Sequence, residues 1–120
     1  MTVSSVIDLF RKLYPYTVDD TELLYWLTAV DRTVVIETLQ PRSATEIALP
    51  EYTAADNTEL LIPSPYCDAY LFYMAGMCGL WALENDIYNN MMYAYTTMMS
   101  NFKSYISRTE KTVSSQSIRA

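Results

Sequence analysis

Acid–base or metal chemistry in this chain would have to rest on carboxylates, because its 120 residues include no histidine. That removes the side chain that most often serves as general base or metal ligand near neutral pH. Two carboxylate clusters are spaced closely enough to work as pairs: Asp19, Asp20 and Glu22, and Glu84 with Asp86. A paired-carboxylate hydrolase needs such groups to face each other across a cleft. The first cluster has a simpler use, since acidic groups in the first turn of a helix meet the positive end of its dipole. The second sits in a polar break between two apolar segments and reads as a hairpin turn. No Gly-rich phosphate loop occurs. The two cysteines, Cys67 and Cys78, lack zinc-site spacing. On one helix their separation of eleven residues is roughly 16 Å, well beyond the ~7 Å a disulfide tolerates. Reduced, buried thiols and an intracellular origin are therefore expected. The reading assigns no catalytic residue, no cofactor and no metal.

The elements that would position any site are helical. Gly is scarce at two residues and half the composition is apolar, which argues against a turn-rich β fold and against wholesale disorder. Thr2 can cap a first helix over residues 3–13, whose Val3, Val6, Ile7, Phe10 and Leu13 recur at helical spacing. Pro15 ends it. Thr17, with Asp20 three residues on, predicts the cap of a second helix over 17–39, with its stripe through Leu23, Leu27, Val30 and Val34. The β-branched residues of Thr33–Ile36 crowd its end. Residues 40–65 lose the helical period and carry Pro41, Pro50, Pro63 and Pro65, a long loop expected to be mobile. Ile47 and Leu49 fit either one short strand or a place on the core, and Glu59–Ile62 fits extended chain.

A third helix over 66–83 includes a run from Ala69 to Leu83 without a charge. A membrane span needs about 20 apolar residues and basic flanks, and this run has neither. A helix apolar all round has to be covered all round, either inside a single-chain bundle or by another copy of the chain. Ala75, Gly76, Gly79 and Ala82 offer small residues for a close helix crossing, while Leu71, Met74, Cys78 and Trp81 form a bulkier face. The last helix, over 85–107, carries the stripe Ile87, Met91, Tyr95, Met98, Phe102 and Tyr105, widened by Met92 and Met99. The expected fold is all-α: a small four-helix bundle over residues 1–107, with a flexible C-terminal tail over 108–120.

The net charge of −6 is split, −9 over residues 1–86 and +3 over residues 87–120. An acidic chain is poorly suited to gripping nucleic acid through its phosphates. The basic end instead suits an acidic partner, with Lys103, Arg108, Lys111 and Arg119 as its contacts.

The segments MTVSSVIDLF, LLYWLTAVDR, LLIPSPYCDAYLFYMAGM and ENDIYNNMMYAYTTMMSNFKSYISRT, in that order, resemble the small head–tail connector (adaptor) proteins of tailed bacteriophages. The most specific pieces are Pro63 to Asp68, Pro-x-Pro-Tyr-x-Asp, and Tyr88-Asn89-Asn90. Ser5 stands where such proteins often carry an acidic residue, and Gly76, Met77, Cys78 and Gly79 are looser than usual. The resemblance implies a non-enzymatic virion protein of the neck, assembled in the bacterial cytoplasm. It would add to the portal protein as a ring, usually of twelve copies, extend the DNA channel without sequence-specific binding, and dock a stopper or tail-terminator protein. No membrane is involved. The alternative is a small helical regulatory module whose Met- and Tyr-rich groove holds a partner helix.

Overall fold

The computed structural model describes the backbone of residues 1–119 and the side chains of residues 1–109. Among the described residues the fold is all-α, without a strand: α1 (Val3–Leu13), α2 (Asp20–Val34), α3 (Asp68–Trp81) and α4 (Asn85–Arg119). The α2 rod continues as a π-helical turn, Val35–Leu39, and a short 3-10 turn, Gln40–Arg42.

Local chemistry sets the boundaries. Thr2 caps α1 reciprocally with Ser5: the Ser5 amide donates to Thr2 Oγ1, and the Thr2 amide donates to Ser5 Oγ at 2.8 Å. Tyr14, just before Pro15, is extended as a pre-proline residue must be, and ends α1. The start of α2 differs from the sequence expectation. Thr17 does not cap it; Asp19 does, without a side-chain cap bond, and the helix begins at Asp20. Arg11 instead reaches across to the Val18 carbonyl and to Asp20 Oδ1 at 2.5 Å, fixing the α1–α2 corner. At the other end the β-branched run is where the α-helix gives way. Thr33 Oγ1 donates back to the Ala29 carbonyl, and the Gln40 amide bonds to the Val35 carbonyl, a π register. Pro41 has no N–H for the Glu37 carbonyl and its ring needs the space, so the turn widens before it.

α3 sits at the centre and touches α1, α2 and α4. Its Ala69, Tyr70, Leu71, Met74, Ala75 and Cys78 are buried with Phe10, Trp26, Leu27, Val30, Ile62 and Phe102 in one core. A single chain thus covers most of this apolar helix; Leu80 and Trp81 in its last turn remain exposed. The two cysteines are free and buried. None of the helices among the described residues is long and apolar enough to cross a membrane.

Residues 43–67, the strap, run across the bundle, and the structure overturns their reading as a loop without packing. Leu60 and Ile62 enter the core. The Val3 and Ser4 amides donate to the Thr58 and Asp56 carbonyls, and the Leu60 amide to the Met1 carbonyl. Further along, Arg32 Nε donates to the Pro50 carbonyl and the Tyr52 amide to Thr28 Oγ1. Thr2 and Glu59 form one isolated β-bridge. Ile47 is half-buried and Leu49 exposed, and neither is in a strand. The apolar anchors are spaced too irregularly to show a period, and most of the fastening is by main chain.

The last helix also departs from expectation. The sequence reading stops it at Ser107, whereas α4 continues to Arg119. No Pro or Gly occurs after Gly79, and a helix once formed propagates until something ends it. At about 1.5 Å per residue its 35 residues span about 52 Å, which accounts for the 54 Å long dimension of the molecule. Among its described side chains Met99 and Phe102 are buried, and Ile106, not Tyr105, carries the packing stripe onward.

α3 and α4 meet closely at two glycines. A Cβ at Gly79 would lie 3.0 Å from Ile87 Cγ2 and 3.1 Å from the Tyr88 backbone nitrogen. One at Gly76 would meet the flexible Met92 Cε at 2.4 Å. Helix propensity favours Ala over Gly by roughly 1 kcal/mol at either site, but only at Gly79 is the obstacle backbone. Gly79→Ala should therefore destabilise the protein by about 1 kcal/mol or more. Gly76→Ala, where a methionine tip can move, should be neutral or stabilising. Denaturant melts of the two variants compare them directly, and equal shifts would remove the close crossing at Gly79.

Candidate interaction surface

The polar centre of the molecule is Asp31, a fully buried carboxylate on the inner face of α2. Oδ1 accepts the Tyr70 hydroxyl at 2.5 Å, and Oδ2 accepts the Leu61 amide at 3.1 Å and the Tyr52 hydroxyl. The Tyr70 oxygen in turn accepts the Ile62 amide at 2.8 Å. One side chain therefore joins α2, α3 and two points of the strap. Burial raises the Asp31 pKa above the ordinary carboxylate value, and the hydrogen bonds from Tyr52, Tyr70 and Leu61 oppose that rise. Burial, with Asp31 beside them, also pushes both tyrosines well up. Sequence reasoning passed over Asp31. The available signal was a single acid set among apolar residues on the stripe side of α2, next to Val30 and Val34.

The surface itself has two distinctive regions. The first is an open cleft of about 770 Å³ between the end of α2 and α4. Tyr95 and Met99 form its apolar floor, and Thr33, Thr96, Ser100, Ser104 and Ser107 bring hydroxyls to its walls. Lys103 Nζ lies across it, 3.2 Å from Glu37 Oε2 on the π-turn. Arg108 lines its far end, and Arg42 closes the rim by donating to Ser107 Oγ at 2.6 Å and to the Thr38 carbonyl. The Tyr95 hydroxyl is pushed up to about 12, by burial first and then by Tyr73, Glu37 and Asp31.

The second region is the tip of the α3–α4 hairpin. Here the Glu84 amide donates to the Gly79 carbonyl and the Leu83 amide to the Leu80 carbonyl. This pattern closes a helix through one left-handed residue, a place usually taken by Gly. In this chain it is Leu83, at φ 58°. Leu83 is 85% exposed and Trp81 61% exposed, with the Trp81 ring edge-on to Trp26. The turn is thus Ala82–Leu83–Glu84, one residue or two before the acidic break that marks it in the sequence. Glu84 accepts from the Tyr16 hydroxyl at 3.4 Å.

The residues singled out from sequence fall as follows. Lys103 and Arg108 share the cleft. Lys111 and Arg119 lie on the α4 backbone, with side chains outside the described residues. Ala75, Gly76 and Gly79 are buried where α3 meets its neighbours, while Ala82 is exposed and caps α3, away from the crossing. The described residues hold no group of three potential metal-ligating side chains. Searches against protein-family models, curated proteins and solved structures give no match.

Asp31 provides a direct test of the polar centre. Asp31→Ala strands two tyrosine hydroxyls and an amide, each costing about 1–3 kcal/mol when buried unpaired, so a loss of roughly 3–5 kcal/mol is expected. The sign of its pH dependence follows from the raised pKa. A carboxyl that holds its proton more tightly when folded stabilises the fold below its unfolded pKa, and that contribution fades as pH rises through the folded pKa. Melting curves of the wild type and Asp31→Asn across that range should differ in this component. Identical pH profiles would show that Asp31 does not titrate with folding.

Proposed function

We propose that this chain is a non-enzymatic structural subunit of a tailed-phage neck: a head–tail connector that assembles as a ring on the portal protein, extends the DNA channel and offers a docking surface to the next tail component. The observation that carries this reading is the hairpin tip. Leu83 holds a strained backbone conformation that Gly would adopt freely, and it does so with its side chain in solvent beside Leu80 and Trp81. Strain kept at an exposed apolar point is accounted for by a surface that becomes covered on assembly. The rest of the molecule supports the same use. α4 is a strut running the length of the subunit. The negative charge of residues 1–86 suits a wall along which DNA must slide without sticking. The basic end of α4 suits the portal or a neighbouring subunit. The alternative of a Met/Tyr groove for a partner helix is weakened by packing: Met91, Tyr95 and Met98 are half-buried against the core, and the Tyr95 ring packs at a tilt of 56° on Tyr73 with ring centres 5.1 Å apart.

Co-expression with the portal protein encoded in the same phage genome, followed by electron microscopy, tests the proposal. Wild-type chain should add a ring to the portal; chain that stays unattached under these conditions refutes it. Leu83→Gly should stabilise the subunit by about 1 kcal/mol through relief of the left-handed strain, yet weaken ring incorporation by ten-fold or more. A variant that gains stability and assembles as well as wild type removes the tip from the interface. Deleting residues 109–120 should leave the bundle folded, because the core residues described on α4, through Phe102 and Ile106, all precede the cut. Incorporation should be lost, which separates the basic end from the core.

A further inference from the structure

The α2–α4 cleft has the chemistry of a receptor for carboxylates. Among the described residues, the cations Arg42, Lys103 and Arg108 stand in it or at its rim, and Glu37, paired with Lys103, is the acid in its lining. The hydroxyls of Thr96, Ser100 and Ser104 supply further donors above the floor of Tyr95 and Met99. Guanidinium and ammonium groups ringed by hydroxyls bind an anionic segment through charge-assisted hydrogen bonds. A nucleic acid would offer phosphates to the same donors, but it would have to approach a chain of net charge −6. A carboxylate-bearing protein segment has no such conflict.

A segment of that kind is displayed by this chain itself. From Ser43 to Phe102 there is no Lys or Arg. The strap within that stretch presents Glu46, Glu51, Asp56 and Glu59, all exposed. It is not a loose arm. Its bonds to Val3 and Ser4 of α1, to Thr28 and Arg32 of α2 and to Gln40 hold the main chain beside these residues, so little backbone ordering is needed when they meet a partner. Glu59 already pairs with the Met1 ammonium and Asp56 Oδ1 accepts from the Thr58 amide, which leaves Glu46 and Glu51 as the better-placed contacts. The cleft and the strap are two different surfaces of opposite sign. Contact between them is head to tail, which on repetition closes a ring or builds an open helix.

We infer that the cationic cleft of one copy receives the acidic strap of a second copy, with Lys103 and Arg108 meeting Glu46 and Glu51. The inference rests on the assembly reading only in that copies of the chain meet each other; it does not need a portal. Sedimentation of the purified full chain tests it without one. Association should be present at low salt and fall at least ten-fold at about 1 M salt, where the screening length is about 3 Å. Lys103→Glu and the double variant Glu46→Lys/Glu51→Lys should each lose association at least ten-fold while keeping the wild-type helical spectrum. Mixing the two restores an oppositely charged cleft–strap pair and should recover association that neither shows alone. A wild type that is monomeric at low salt overturns the inference, as does association that ignores both variants, or a mixture that fails to recover. In each case the portal experiment still stands or falls by itself. If Lys103→Glu weakens association but the strap variant does not, another segment occupies the cleft and the assignment to the strap is wrong.

Discussion

The middle and the end of the strap are tied to the helices through one buried carboxyl group, that of Asp31. Asp31 accepts from Tyr52, Leu61 and Tyr70, and those three residues belong to the middle of the strap, its end and the central helix. A carboxylate without water is costly unless its lone pairs are occupied, so the strap cannot leave without exposing that cost. The arrangement also explains how so long a connection lies against so small a domain. The strap supplies only three core side chains of its own, Leu60, Ile62 and Cys67 at its very end. Its position comes from the carboxylate and from main-chain bonds to α1, not from a hydrophobic face. Tyr70 matters twice, because its oxygen accepts the Ile62 amide while its hydrogen goes to Asp31.

The helices were legible because each carries its own period. Val3, Val6, Ile7 and Phe10 are all buried, as their spacing requires. Pro15 and the Thr2 cap fix α1 to the residue. The ends of α2 were harder to read: Thr17 and Asp19 both suit a cap, and the choice went to Asp19 because Arg11 engages the Val18 carbonyl and Asp20. Position 31 looks like any acid in a helix, and nothing local reveals that two tyrosines, twenty-one and thirty-nine residues away, will close on it. The cleft was half visible. Lys103 and Arg108 stand out as charges, but Glu37 and Arg42 join them only through the path of the chain after the π-turn. The end of α4 could not be read from apolar period, because no Gly or Pro marks a stop there.

Two kinds of surface result, and they differ in how they would respond to conditions. The hairpin tip is apolar and its geometry is set by the Gly79–Glu84 closure, so its contribution to any contact grows with buried area and is little affected by salt. The cleft and strap are polar and charged, and their contribution is screened. A subunit with one of each can be steered by charge and retained by apolar contact. The Leu83 conformation also shows that the tip is not simply a consequence of the best local turn, since a less strained residue was available to the same backbone.

The two thiols acquire a use from their placement. Cys67 immediately precedes the first turn of the central helix and Cys78 lies in its last, and both are free and buried. Burial pushes the Cys78 thiol up to about 11, so little of it is thiolate near neutral pH, and thiolate is the form that reacts. Modification of either thiol is therefore gated by local opening of the packing that buries it. The molecule carries a built-in pair of clocks, one at each pole of its core, that can time local opening residue by residue without any introduced label.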